Sequence, residues 1–381
     1  MDRRWVYPAC MVLALSLCAC TVADEWPDSP AVPFSRALRP ATSSGDASGS
    51  SGKDAAAAWR SRGVPASLAF DLAAARAHSV HKVLVAWYND ATYGYDHALL
   101  GQPGYNNLGS YEIQLADDAG GTGPWRRVVR VEGNTRHSRE HLVDIGTARW
   151  LRIQVERVDG SPGNTDAMAH VDLHDASAVP VDGWLFVGDS ITANGMGHGA
   201  MAGTGGFPGE LERRAGRFPA QENAGMPGWT LEDASQQLPA WLDDFPGRYV
   251  PLAFGTNDAA ADASPAEFGS RLAGLARLVH ARGKVAILPT IPWSRDPYHA
   301  ARIPALNEQI ARIAGHQPDV LPGPDLYALF QGRQELVSGD GIHPTAEGYA
   351  ALRQSWVDWA ASNIYKAVAA GSASTATGER P

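Results

Sequence analysis

The chain has 381 residues, 44% of them hydrophobic and 19% charged, a balance that builds a buried core and excludes both a disordered polymer and a protein of many membrane spans. At ~100–200 residues per domain this length is too great for one compact α/β unit and suits two. Thirty-two Lys and Arg against 41 Asp and Glu leave a net charge of −9, which disfavours nucleic acid or an anionic membrane surface as a general partner.

In chain order, Arg3 and Arg4 precede an apolar run, Met11 to Leu17, too short to span a bilayer and with the charged start of an export signal. All three cysteines, Cys10, Cys18 and Cys20, lie in this segment, so they form no disulfide framework. Leu17-Cys18-Ala19-Cys20 resembles a bacterial lipobox. The expectation is a signal peptide over 1–19, lipidation at Cys20, and an exported protein of the cell envelope, in the periplasm or at the outer membrane. Cleavage near Ala19 or Ala23, as in an ordinary signal peptide, stays open and would give a secreted protein. Residues 20–53 are rich in Ser, Gly, Pro and Asp, which bury too little apolar surface to fold alone. They read as a flexible tether with an edge strand near Val32 to Leu38.

Residues 54–178 alternate short apolar runs with Gly, Asn and Asp. The runs are Lys82 to Trp87, Tyr111 to Leu115, Arg127 to Val131, His141 to Ile145, Trp150 to Val155 and His170 to Leu173. This is the period of strands in a β-sandwich. From Val181 the pattern changes. Trp184 to Val187, Val250 to Phe254 and Val285 to Leu288 are continuous apolar runs suited to buried parallel strands. Ser264-Pro265-Ala266-Glu267 supplies an N-cap, a proline at N1 and a glutamate at N3, with Phe268, Leu272, Leu275 and Val279 following on one face. Ala300 to Ile313 and Ala346 to Ile364 also read as helices. Strands alternating with helices predict a parallel sheet with helices on both faces over residues 179–370, and 371–381 reads as a disordered tail.

Gly188-Asp189-Ser190-Ile191-Thr192 ends the first strand of this half. A serine there, at the carboxyl edge of a parallel sheet where ligands bind, is placed for a nucleophile. A hydroxyl needs a base and the base an orienting acid. Asp340-Gly341-Ile342-His343-Pro344-Thr345 supplies both in one loop, with Asp340 on one ring nitrogen and the other facing Ser190. Pro344 delays the next helix and Thr345 can cap it. Developing negative charge needs donors. The Asn257 amide of Gly255-Thr256-Asn257-Asp258 and the Gly228 N–H of Asn223-Ala224-Gly225-Met226-Pro227-Gly228 are candidates.

These four blocks, in the order Ser190, Gly228, Asn257, Asp340 and His343, resemble those of the SGNH (GDSL) hydrolases over about Val181 to Tyr365. The resemblance implies a flavodoxin-like α/β fold, Ser190 as nucleophile, His343 as general base then acid, and Asp340 as its orienter. It also implies an oxyanion hole of the Ser190 and Gly228 N–H groups with the Asn257 side chain, and no cofactor or metal. The β half, from Trp59 and Ser67 to Leu72 through Val83 to Trp87, Trp125 to Val129 and Ala148 to Ile153, resembles a discoidin-type, galactose-binding-like jelly roll. Together with the export signal, the arrangement is similar to carbohydrate esterases in which a jelly roll precedes the hydrolase. The expected activity is removal of small acyl groups, acetyl first, from an acetylated glycan. A lipid or aryl esterase or lysophospholipase of the same fold, and a non-catalytic glycan-binding lipoprotein, are the alternatives.

Forty Gly, 26 Pro and 12 Trp suit a loop-rich protein with aromatic platforms, so Trp87, Tyr88 and Tyr93 can either stack on sugar or fill the sandwich. Asp189, Trp229 and Trp293 are candidate pocket residues, and packing is the alternative for each tryptophan. His137-Ser138-Arg139-Glu140-His141 fits a zinc-peptidase pattern, but its ligands must share a helix face and this segment leads into a strand. His170 with His174 on a strand fares no better. Asp325 is read as either structural or supporting the active-site loops.

Overall fold

The computed structural model describes residues 31–47, 58–89, 105–160, 165–177, 181–197 and 205–365. The export signal, the Cys20 lipidation position, Tyr93 and the expected 371–381 tail lie outside them. Among the described residues, no helix is long and apolar enough to cross a membrane.

Apolar residues at every second position make the first half antiparallel. One sheet runs in the order β1 (Ala41–Thr42), β3 (Ala66–Asp71), β8 (Trp150–Gly160), β5 (Tyr105–Ala116), β6 (Arg126–Val131). The other runs β2 (Trp59–Arg60), β9 (Met168–Asp175), β4 (Lys82–Tyr88), β7 (Ser138–Asp144). A one-turn helix, α1 (Ala73–Ala77), follows β3. Along β3, Ala66, Leu68 and Phe70 are buried while the residues between them are half-buried, the period expected of a sheet with one face on a core. Leu68, Phe70, Ile113 and Leu151 from the first sheet meet Val85, Trp87, Val171 and Leu173 from the second in one cluster. This is a β-sandwich, as the alternation predicts. Trp87 belongs to that core, its Nε1 donating to Tyr111 Oη at 3.0 Å. Tyr88 points to the opposite face, yet it too is buried, stacked on His170 with its hydroxyl on Asp172. Neither ring is open to a sugar.

Residues 31–47 are not the tether that their composition predicts. Pro33 holds φ at −66° and Phe34–Ala37 turns as a 3₁₀ helix rather than an edge strand, with Phe34 and Ser35 buried. Ser35 Oγ accepts from Leu173 N at 3.0 Å, and Ala31 O accepts from Phe218 N at 2.8 Å. Arg36 pairs with Glu212 at 2.8 Å and lies over the Phe218 ring. Two side chains thus fasten the segment to both halves, an effect that average composition dilutes.

The second half is a parallel sheet in the order β11 (Ala220–Gly225), β10 (Gly183–Gly188), β12 (Tyr249–Ala253), β13 (Val285–Leu288), β14 (Val320–Pro322). The second strand lies outside the first, which is the flavodoxin-like order. Leu185 and Val187 face a core shared with α4 (Leu231–Asp244), α6 (Pro265–His280) and α7 (Pro297–His316). Trp184 and Phe186 face the other way, onto α3 (Gly206–Ala215) and α9 (Ala346–Asn363). The predicted caps form: Ser264 Oγ accepts from Glu267 N, and Thr345 Oγ1 from Gly348 N. The helix expected from Ala300 begins three residues earlier because Asp296 caps it and Pro297 opens it.

Strands β11 and β14 are not among the predicted strands: β14 is an apolar run of only three residues, and β11 has no apolar run. All six residues of β11, Ala-Gln-Glu-Asn-Ala-Gly, are buried because this edge strand meets the edge strand β7 of the sandwich. Glu222 Oε1 accepts the Glu140 N–H at 2.8 Å, and Ser138 Oγ accepts the Asn223 N–H at 3.2 Å. Side chains, rather than a backbone ladder, cover two edges that would otherwise invite pairing with another chain.

Candidate active site

Tight packing sets the nucleophile's position. A Cβ on Gly188 would fall 2.1 Å from Thr192 Oγ1 and 2.6 Å from Ala253 O, so only glycine lets β10 end against its neighbours. Asp189 then caps α2 (Ser190–Gly195), its Oδ1 accepting from Ile191 N at 2.9 Å, and Ser190 is held half-buried at the first helical position.

His343 Nε2 lies 2.9 Å from Ser190 Oγ, and His343 Nδ1 lies 2.7 Å from Asp340 Oδ2. A carboxylate only accepts, so Nδ1 carries the proton and Nε2 is free to accept from the serine hydroxyl. Burial raises the Asp340 carboxyl, but donors outweigh it: the Ile342 N–H at 2.8 Å, the His343 ring, the Ser338 hydroxyl at 2.7 Å and the His343 N–H at 3.0 Å. Together they hold Asp340 well below the usual carboxylate range. The loop is closed at its base by Ser338 N donating to His343 O at 2.7 Å. Ser338 escaped the sequence reading; a serine two residues before an acid is too common a pattern to signal such a bond.

Gly228 and Asn257 sit at the same sheet edge. Gly228 has φ +82° with no atom near the position of an added Cβ. Asn257 is the second residue of α5 (Thr256–Ala260), and its Nδ2 donates to Trp229 O at 2.9 Å, which ties the Gly228 loop to α5. Two buried carboxyls lie beneath. Burial pushes Asp189 up to about 6, with the Ile191 N–H opposing and the Asp258 charge adding to the rise. Asp258 is pushed up to about 6 by burial, against a bond from Leu231 N at 3.2 Å.

The candidate pocket residues separate. Asp189 is buried and borders a cavity of about 20 Å³, also lined by Phe186, Ile191, Met196, Ile291 and Trp356. That is room for one water-sized group. Trp229 is half-buried and stacks on Trp241, centroids 5.5 Å apart and planes within 6°. Trp293 is half-buried against the cluster that holds Trp184 and Trp356. Neither tryptophan lines the cavity.

The remaining candidates take structural places. His141 lies on a strand with Nε2 2.7 Å from Tyr111 Oη, so it cannot share a helix face with His137. His170 and His174 flank Asp172 on β9, and among the described residues no group of three metal-ligating side chains occurs. Asp325 caps α8 (Leu326–Gly332), its Oδ1 accepting from Ala328 N and from the Thr290 hydroxyl.

The fold and the Ser190–His343–Asp340 chain together have the arrangement that a serine hydrolase requires. Residues 186–351 match the model of the GDSL-like Lipase/Acylhydrolase family, and that resemblance implies a carboxylic ester hydrolase. No curated protein matches the chain. Similar solved structures include a lipase/acylhydrolase from Enterococcus faecalis, 27% identical over 47% of this chain and 95% of its own, with a TM-score of 0.40. Another is an acetylxylan esterase from Geobacillus stearothermophilus, 20% identical over 46% of this chain and 93% of its own, with a TM-score of 0.39.

Proposed function

We propose that the protein is an exported serine esterase that removes small acyl groups, above all O-acetyl, from a polysaccharide or oligosaccharide. The observation that carries this reading is the hydrogen-bonded chain from Ser190 Oγ through His343 to Asp340, 2.9 Å and 2.7 Å long, at the carboxyl edge of a parallel sheet. Ser190 Oγ attacks the ester carbonyl as His343 Nε2 takes its proton, and Asp340 stabilises the imidazolium. The oxyanion is received by the Ser190 and Gly228 N–H groups and the second hydrogen of the Asn257 amide. Collapse returns the proton from His343 to the departing sugar oxygen and leaves an acyl-Ser190. Water, activated by the same histidine, then frees the carboxylic acid.

The β-sandwich fastened to the hydrolase sheet and the charged, apolar leader support an extracytoplasmic glycan as substrate, with Cys20 as a lipid anchor to the envelope membrane. Hydrolysis of p-nitrophenyl acetate by the protein beside Ser190→Ala and His343→Ala tests the reaction, and equal rates in all three remove it. A series from acetate to octanoate tests the acyl size, since preference for the long chains makes the protein a lipid esterase. Acetate release from acetylated xylan, mannan, pectin and peptidoglycan tests the glycan. Intact mass with and without Cys20→Ala tests the anchor.

A further inference from the structure

The segment after β13 grips the loop that carries the histidine. Three donors converge on one carbonyl, Gly341 O: the Ser294 hydroxyl at 2.8 Å, the Arg295 N–H at 2.8 Å and the Asp296 N–H at 3.3 Å. Ser294 is buried, and its oxygen also accepts from Asp296 N at 3.1 Å, so the hydroxyl proton is committed to Gly341. The Arg295 guanidinium reaches across to the same loop, Nη2 donating to Val337 O at 2.6 Å and to Ser338 O at 2.9 Å. Gly341 has φ +79°, and an added Cβ would fall 3.0 Å from Asp296 N, so the close approach needs a glycine. These contacts bracket Asp340, one residue before the gripped carbonyl, and Ser338, which donates to the Asp340 carboxylate.

We propose that Ser294 and Arg295 are positioning residues for catalysis, a two-point latch that holds the Asp340–His343 loop against the β13 side of the site so that His343 Nε2 meets Ser190. This rests on the esterase reading above. Ser338 N on His343 O and Gly341 N on Ser338 O close the loop on itself, and the latch ties it to the segment after β13. Asp340 and His343 are 47% and 40% exposed, and exposed loops move readily unless their backbone is bonded. The two hydrogens of Arg295 Nη2 go to two successive carbonyls of the loop, so one nitrogen holds both. Both steps of the reaction use His343, so a loosened latch slows acylation and deacylation alike, and its effect belongs in kcat.

The test uses the full chain and p-nitrophenyl acetate. Arg295 is exposed, so Arg295→Ala keeps the core intact. The expected result is a kcat about tenfold lower with KM unchanged, since small misplacements of a catalytic group cost this much or more. Arg295→Lys should recover most of the loss. Ser294→Ala should lower kcat by a similar factor. In both alanine variants the downfield proton resonance of the His343–Asp340 bond should broaden or move upfield relative to the parent protein. A kcat within twofold of the parent in both alanine variants, whatever their thermal midpoints, overturns the latch, as does a loss that appears only in KM. His343→Ala in the same assay separates the two levels. If it retains full activity the esterase reading itself falls; if it is inactive while the latch variants match the parent, only the latch falls.

Discussion

Carboxylates occur in two settings in this molecule, and their contrast explains what each region is for. At the carboxyl edge of the parallel sheet, Asp340 is nearly half exposed yet accepts four hydrogen bonds, and they hold its carboxyl well below the usual range. At the seam between the domains, Glu140 and Glu222 are buried, with three of their four oxygens lacking a hydrogen-bond partner among the described residues. Burial pushes Glu140 up well above the ordinary value, with the Lys284 charge opposing and Asp182 adding; Glu222 rises for the same first reason, against the Glu140 N–H. Lys284 spends its own donors on Phe245 O and Gly247 O. The fold favours the charged form of the first acid and the neutral form of the other two. Burial drives the rise at the seam, and at Asp340 a set of donors outweighs it.

Asp340→Asn is the sharpest way to probe the first setting. The amide keeps the shape but cannot hold the His343 tautomer, so kcat on p-nitrophenyl acetate should fall about 10³–10⁴-fold, with a thermal midpoint close to the parent's. A loss under tenfold would show that the carboxylate's charge is not what the histidine needs. Asn257→Ala should lower kcat about 10²–10³-fold if its amide serves the oxyanion. If its part is only to hold Trp229 O, the loss will appear as a lower melting temperature instead.

The seam makes the opposite prediction, in stability. A carboxyl raised by folding contributes fully below its unfolded value near 4.3 and loses that contribution as the pH rises through its folded value, each unit being worth about 1.4 kcal/mol. These two carboxyls therefore withdraw stability as the pH rises above their unfolded value, and Glu222→Gln should flatten that part of the slope and melt higher than the parent at pH 8. Melts at four pH values check this. A parallel shift at every pH would mean that Glu222 is ionised in the fold and that the contrast with Asp340 fails. The smallest effect lies away from both regions. Ser264→Ala removes one N-cap and should cost about 1 kcal/mol with kcat unchanged, which calibrates the stability measurement.

Legibility in the sequence followed the kind of signal available. Local rules sufficed where a residue's job is set by its neighbours in the chain. Ser264 and Thr345 cap as their spacing predicts, and β13 is the apolar run Val285–Leu288. Ser190, Asp340 and His343 were legible because nucleophile, base and acid must occupy recognisable loops. The strand β11 was not, since its Gln, Glu and Asn answer to β7, some eighty residues away. Phe34 and Arg36 were lost in a polar segment for a similar reason. Trp87 and Tyr88 could not be assigned to core or ligand until two opposed sheet faces were both seen to be covered.

The amino-acid order by itself determined the two-part organisation, the alternation that makes one half a sandwich, and the candidates Ser190, His343 and Asp340 that the structure brings into one hydrogen-bonded chain, because these depend on period and on chemistry local to each loop. Only the tertiary structure decided which polar residues are buried, which carboxyls keep their charge and what grips the histidine loop. Those outcomes depend on donors and dielectric contributed by distant segments, and no spacing rule along the chain encodes them.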